Sequence, residues 1–298
     1  MSTRGYRVCG GCNGNLDKSS YTKNQWSKKG VGASRCKICV AELVEVDGNG
    51  FGTARRNEKS RCEFNFSKVN ARGSFRLVTF GKYIGGRRTG QLAVGKWFKP
   101  AYKSISDQFY VTDTLAVEKC LQLLTSFNGE GLIPDTIRLN IPEILTKANG
   151  VQYSVEPYIE NFQKFNSNTG WISQDSSKWI AIMQALSHYT YHVSSAQFLL
   201  CDLQGGLFRD GAILTDPVVM SKNRKFGPTD LGPKGISSFF GRHKCSGYCK
   251  SHWQKPADRN LYHTASEGSS MEYNPNLISE QYRPKMSAFN EDDEYDTD

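Results

Sequence analysis

Three groups of residues have types and spacings that could do chemistry. Near the amino terminus, Cys9-x2-Cys12 and Cys36-x2-Cys39 stand 23 residues apart. Paired cysteine knuckles on a segment too polar to fold by burial alone predict a structural Zn2+ bound by four thiolates. Far downstream, His243-x-Cys245-x3-Cys249 gathers three more zinc-type donors within seven residues. Between them, Asp202-Leu-Gln-Gly205 follows the apolar run Ala196–Cys201, and Leu214-Thr-Asp-Pro217 comes shortly after. A carboxylate at the end of a buried strand, as at Asp202, is costly unless it faces a charge or a metal. The amide oxygen of Gln204 is a hard ligand acceptable to Mg2+. Asp216, in a turn before Pro217, could share that ion.

One further residue needs its context settled. Gly90-x4-Gly95-Lys96 fits a phosphate-loop pattern, but Trp97 stands where Ser or Thr would meet the metal. Leu92, Val94 and Phe98 alternate as in a strand. Lys96 therefore reads as a lysine carried on a strand beside a Gly/Arg-rich hairpin, which is how protein kinases hold the phosphates of ATP.

These groups need elements to position them. Phe75–Phe80, Gln91–Phe98 and Val151–Val155 read as strands, and Ala196–Cys201 as a buried one. Asp107–Phe127 reads as a helix with Val111, Leu115, Leu121 and Leu124 near helical spacing. Ser176–Thr190 reads as a second helix, with Trp179, Ile180, Met183 and Leu186 on one face and Ser176 or Ser177 as its cap. Strands first and mixed elements after predict an α+β protein of two lobes.

Composition narrows the class. The chain has 298 residues, 38% of them apolar, enough for an ordinary core. It contains no run of 18 apolar residues and no apolar leader, so the expectation is a cytoplasmic or nuclear protein without a membrane segment. Nine cysteines then point to metal or buried thiols rather than disulfides. Residues 1–60 hold 11 Lys/Arg against 5 Asp/Glu, whereas 258–298 hold 3 against 10. With +9 overall, the middle is strongly basic, which suits phosphate-bearing ligands or acidic partners. The expected organisation is a four-cysteine finger over 1–42, a glycine-rich linker over 43–60, a domain of regular strands and helices over 61–256 and a disordered acidic tail over 257–298. The finger would dock a protein or a nucleic acid, or serve only as scaffold.

The usual kinase signatures, H-R-D and D-F-G, are missing. Another set is present. Val155-Glu-Pro-Tyr-Ile159, Lys164-Phe-Asn-Ser-Asn-Thr-Gly-Trp171 and Ser187-His-Tyr-Thr-Tyr191 precede Asp202-Leu-Gln-Gly205 and Leu214-Thr-Asp-Pro217. Phe226-Gly-Pro-Thr-Asp-Leu-Gly-Pro-Lys-Gly-Ile-Ser-Ser-Phe-Phe240 and the His/Cys cluster follow. In this order the segment from about Phe64 to Trp253 resembles the alpha-kinase family, which includes myosin heavy-chain kinases, elongation factor 2 kinase and channel-fused kinases.

The resemblance implies transfer of the ATP γ-phosphate to Ser or, preferably, Thr of a protein substrate, with ATP, Mg2+ and Zn2+ as cofactors. It implies that Lys96 holds the ATP phosphates and Asp202 orients or deprotonates the acceptor hydroxyl. Gln204 and Asp216 become the Mg2+ ligands. Glu156 opens the segment that contacts adenine, with Tyr158 offering backbone to it. Arg76 and the Gly73-Ser74 turn match a phosphate loop, and Lys164 and Asn168 line the cleft. Gly227, Asp230 and Gly232 belong to a peptide-substrate loop, in which Asp230 stands where the family more often has Asn. His188 becomes the fourth ligand beside His243, Cys245 and Cys249, with His192 as its rival. The spacer before Asp216 is longer than usual, so Asp210 could compete for the metal. Two other readings remain: a pseudokinase that only binds, and a zinc-dependent nucleic-acid-binding protein.

Overall fold

The computed structural model describes residues 5–8, 15–21, 26–27, 34, 61–86, 88–147 and 151–272. The chain forms two units, Met1–Glu58 and Lys59–Asp298. In the first, β1 (Tyr6–Val8) and β2 (Asn15–Asp17) pair antiparallel. The Arg7 guanidinium lies 4.4 Å over the Trp26 ring and donates to Ser34 Oγ at 2.7 Å. Cys9, Cys12, Cys36 and Cys39, and all of the expected linker, lie outside the described residues.

The second unit has an amino-terminal lobe built on a six-stranded antiparallel sheet. Its spine is β3 (Arg61–Phe64), β5 (Arg76–Gly85), β6 (Leu92–Phe98), β9 (Gln152–Pro157) and β8 (Glu143–Thr146), with β4 (Ala71–Arg72) on β5. The β5–β6 pairing sets Val78 opposite Lys96, and the β6–β9 pairing sets Lys96 opposite Ser154 and Val94 opposite Glu156. Lys96 and Glu156 are therefore diagonal neighbours on one sheet face.

Helix α1 (Ser106–Gly129) packs below this sheet. Its buried stripe is Phe109, Tyr110, Ala116, Val117, Cys120, Leu123, Leu124 and Phe127, whereas Val111 and Leu115 are exposed. The apolar face expected from Val111 and Leu115 is thus rotated. The aromatic pair Phe109–Tyr110 docks on Phe98 and sets the helix angle.

The carboxy-terminal lobe is mixed. β7 (Thr136–Leu139) lies parallel to β13 (Gly211–Thr215), which pairs antiparallel with β12 (Gln204–Phe208), which pairs with β10 (Gln163–Lys164). β11 (Phe198–Cys201) and β14 (Val218–Ser221) form a separate ribbon. Helix α2 (Lys178–Val193) is capped by Ser177, whose Oγ accepts from Trp179 N. It is buried on nearly every side rather than on one face, because it runs through the middle of the lobe. Helix α3 (Gly232–Arg242) closes against β14.

Residues 257–272 do not form a disordered tail. They lie back over the lobe, because polar side chains collect their backbone groups: Ser237 Oγ donates to Asn260 O, Ser238 Oγ accepts from Tyr262 N and His263 N, and Arg242 donates to His263 O. A composition poor in apolar residues is ordered here by hydrogen bonds. Residues 273–298 lie outside the described residues.

Candidate active site

The two sheets bring their charged residues to one cleft. Lys96 is buried on β6 and contacts two carboxylates: Glu156 Oε1 and, at 2.5 Å, Asp216 Oδ2. Burial disfavours its ammonium, but Asp216 and Glu156 outweigh that and raise its pKa. Glu156 is buried too, and its other oxygen accepts from Thr215 Oγ1. Its side chain thus faces Lys96. Tyr158 turns its N–H to Leu92 O and sets its ring against Phe80. Arg76 reaches Asp216 Oδ1 at 3.6 Å and also pairs with Asp113 on α1. Gly73 N donates to Arg76 O, closing the turn before β5.

Register sets the lower half of the cleft. Lys164, Gln204 and Thr215 are cross-strand partners on β10, β12 and β13, so Asp216 follows directly from the row that holds Lys164 and Gln204. Asp202, one residue past β11, is 2% exposed. Lys164 Nζ stands 3.0 Å from its Oδ1, and Ser269 Oγ donates to its Oδ2 at 2.7 Å. Burial raises the Asp202 pKa against the pull of Lys164. For Asp216 burial also pushes upward, yet Lys96 and then Arg76 win and hold the carboxyl below its usual range. Two carboxylates in one cleft are thereby shifted in opposite directions.

Asp210 is not in the cleft. It caps the β12–β13 hairpin, where Arg138 binds it at 2.6 Å, and β13 separates it from Asp216. The longer spacer is a closed hairpin, and the competition expected for the metal does not arise. Asp230 is fully buried, and its carboxylate accepts from Ser221 N and Oγ, Gly232 N and Phe226 N. It shapes the loop from Gly227 to Gly232 rather than presenting its charge to a peptide. Asn168 is buried as well and donates to Thr229 O in that loop.

The alpha-kinase family model matches residues 71–249. The chain belongs to the alpha-kinase family. It is 32% identical over 192 residues to the alpha-protein kinase vwkA of Dictyostelium discoideum, covering 63% of this chain and 29% of that protein. It is 32% identical over 126 residues to eukaryotic elongation factor 2 kinase of Homo sapiens, covering 42% of this chain and 17% of that protein. The chain thus spans less than a third of these relatives. Among solved structures, an alpha kinase from Entamoeba histolytica superposes with a TM-score of 0.57 at 23% identity, covering 72% of this chain and 85% of that one. The alpha-kinase domain of myosin heavy chain kinase A in complex with ADP gives 0.56 at 25%, covering 64% and 86%.

This alpha-kinase domain carries a second constellation. His188 on α2 and His243, Cys245 and Cys249 after α3 place one ligand atom each within 4.8 Å of one another. His188 Nδ1 lies 3.7 Å from Cys245 Sγ, and His243 Nε2 lies 3.6 and 3.7 Å from Cys245 and Cys249 Sγ. A tetrahedral zinc with bonds of about 2.0–2.1 Å to nitrogen and about 2.3 Å to sulfur has nitrogen–sulfur edges of roughly 3.6 Å. The donors therefore fit that ion. His188 Nε2 is 3.0 Å from Gln254 O, a carbonyl that can only accept, so this nitrogen carries the proton and Nδ1 keeps its lone pair for the metal. His192 instead accepts from Gln254 N and is not in the group.

Sequence reasoning missed Asp113 and Ser269. Asp113 had a signal: it stands in line with the apolar stripe between Tyr110 and Ala116–Val117, and it pairs with Arg76. Among the described residues no helix is long and apolar enough to cross a membrane.

Proposed function

We propose that the chain is a protein serine/threonine kinase that transfers the γ-phosphate of ATP to a protein hydroxyl, with Thr preferred. The observation that carries this reading is the meeting of Lys96, Arg76 and Asp216 within 3.6 Å, above a buried Asp202 that already accepts a hydrogen bond from a hydroxyl. Phosphoryl transfer asks for positioned cations around the phosphates and a carboxylate at the nucleophile, with little covalent work by the protein.

In this reading Lys96, held by Glu156, and Arg76, held by Asp113, bind the ATP phosphates. The backbone near Glu156 and Tyr158 lies where adenine enters. Gln204 and Asp216 offer hard oxygen donors from adjoining strand ends and would hold Mg2+, which supplies charge neutralisation at the β- and γ-phosphates when bound. Asp202 takes the acceptor proton at Oδ2, while Lys164 balances its charge. Asn168 and the Gly227–Gly232 loop, shaped by Asp230, seat the peptide. His188, His243, Cys245 and Cys249 would hold a structural zinc. Cys9, Cys12, Cys36 and Cys39 would hold a second one, in a finger that docks a protein or nucleic acid.

The test is transfer from radiolabelled ATP to basic Ser and Thr peptides. Asp202→Ala and Lys96→Ala should each remove nearly all transfer while far-ultraviolet circular dichroism stays unchanged. Retention of more than a tenth of kcat in Asp202→Ala, a barrier change under about 1.4 kcal/mol, would exclude its role.

A further inference from the structure

The segment Ser266–Glu272 crosses the cleft mouth, and its residues are held one by one by groups of the domain. Thr169 Oγ1 accepts from Ser266 N at 2.9 Å and donates to Ser266 O at 3.1 Å. Gly268 lies beside Ser74, in the turn ahead of Arg76. The Asn168 amide brackets Ser270, donating to its carbonyl at 2.7 Å and accepting from its N–H at 3.0 Å. Met271 enters the aromatic cluster of Phe98, Phe109 and Tyr110. Glu272 gives its N–H to Pro228 O and its carboxylate to Arg224 at 2.5 Å. Two backbone brackets, an apolar anchor and an ion pair amount to the recognition of a peptide. The residue they leave over Asp202 is Ser269, whose hydroxyl donates to Oδ2.

We propose that Ser269 is a phosphoacceptor of this chain's own active site, modified in cis. The proposal rests on the kinase reading. In the step, Ser269 Oγ bonds to the γ-phosphorus of ATP, the bond from that phosphorus to the β,γ-bridging oxygen breaks, and ADP leaves. The hydroxyl proton passes to Asp202 Oδ2, with which it is already hydrogen-bonded. The product carries close to two negative charges beside a carboxylate, so it is repelled from the position the neutral serine holds. The segment then vacates the channel, and the cleft becomes open to other peptides. The same residues act first as an occupant and then as a departing product.

The experiment incubates the full chain with ATP and Mg2+, then maps phosphate by mass spectrometry over a dilution series of roughly a hundredfold, because an intramolecular transfer does not slow on dilution. Expected are phosphate on Ser269 at a fractional rate independent of protein concentration, loss of that phosphate in Ser269→Ala, and phosphothreonine at the same position in Ser269→Thr. An added basic Ser/Thr peptide runs in parallel. If the peptide is labelled and Ser269 is not, or if Ser269 labelling rises with protein concentration, the cis proposal is overturned while the kinase reading stands. If neither is labelled, both fall.

Discussion

Asp202 and Asp216 adopt positive φ, 57° and 47°, a conformation that residues other than glycine seldom take. Aspartate tolerates it better than most, and strain of this kind gathers where a side chain must be aimed. Both aspartates stand where a strand ends, so the backward turn sends each carboxylate into the cleft. Asp230 shows the opposite use of a carboxylate. Its pKa is raised because burial outweighs the hydrogen bonds it accepts. The folded state therefore binds more protons than the unfolded one, between the unfolded value of about 3.9 and the raised folded value. Its contribution to stability is greatest below that window and falls as pH rises through it. Asp230→Asn lacks this dependence. Melting curves of both proteins across mildly acidic pH should show the wild-type advantage shrinking as pH increases, then levelling off; a constant difference would contradict the assignment. That Lys96, Asp202 and Asp216 would gather in one cleft could be anticipated from local pattern and charge. Glu156 as partner of Lys96, and Ser269 as partner of Asp202, could not. Those pairs depend on strand register and on a fold-back of some 67 residues.

At the scale of elements, Gly205 fixes the β12–β13 hairpin beneath Gln204. Its φ is 154°, and a Cβ there would lie 1.9 Å from Ile213 O, backbone that cannot swing aside. Gly205→Ala should cost at least about 2 kcal/mol and lower Tm by roughly 4–8 °C for a domain of this size. It should also displace Gln204 and reduce ATP turnover. Scanning calorimetry and a transfer assay check both. Strands β5, β6, β9 and β11 and helices α1 and α2 were legible from apolar alternation and helical spacing, with ends shifted by a few residues. The face of α1 was not legible, since Val111 and Leu115 fit the helical period yet face outward. Neither were β7 and β13, which pair in parallel across a long stretch of chain, nor the ordered 257–272 segment, whose polar sequence resembles a solvated tail.

At the scale of the whole molecule, the His/Cys group links α2 to the end of α3. Trp253 packs edge-on to His188 at 5.4 Å and joins the metal group to the main core. Zinc binding energy in such a site is folding energy, on the order of 10 kcal/mol in zinc-finger peptides, comparable to the whole stability of a domain. Cys249→Ala should therefore give unfolded or insoluble protein, and Asp216→Ala a folded protein without activity. Circular dichroism, thermal melts and metal analysis separate the two. A Cys249→Ala protein that melts like wild type would sink the structural-zinc reading.

The order of strands has a temporal side. β7 belongs to the lower sheet, yet the next two strands, β8 and β9, return to the upper one before the chain descends again. Neither lobe is a continuous stretch of sequence. On the ribosome, Thr136 emerges 75 residues ahead of its partner Gly211, a wait of roughly 4–15 s at ordinary rates of synthesis. The upper sheet, meanwhile, lacks β9, the strand between β6 and β8, until Pro157 has been made. A nascent chain halted between residues 140 and 157 therefore holds exposed strand edges in both.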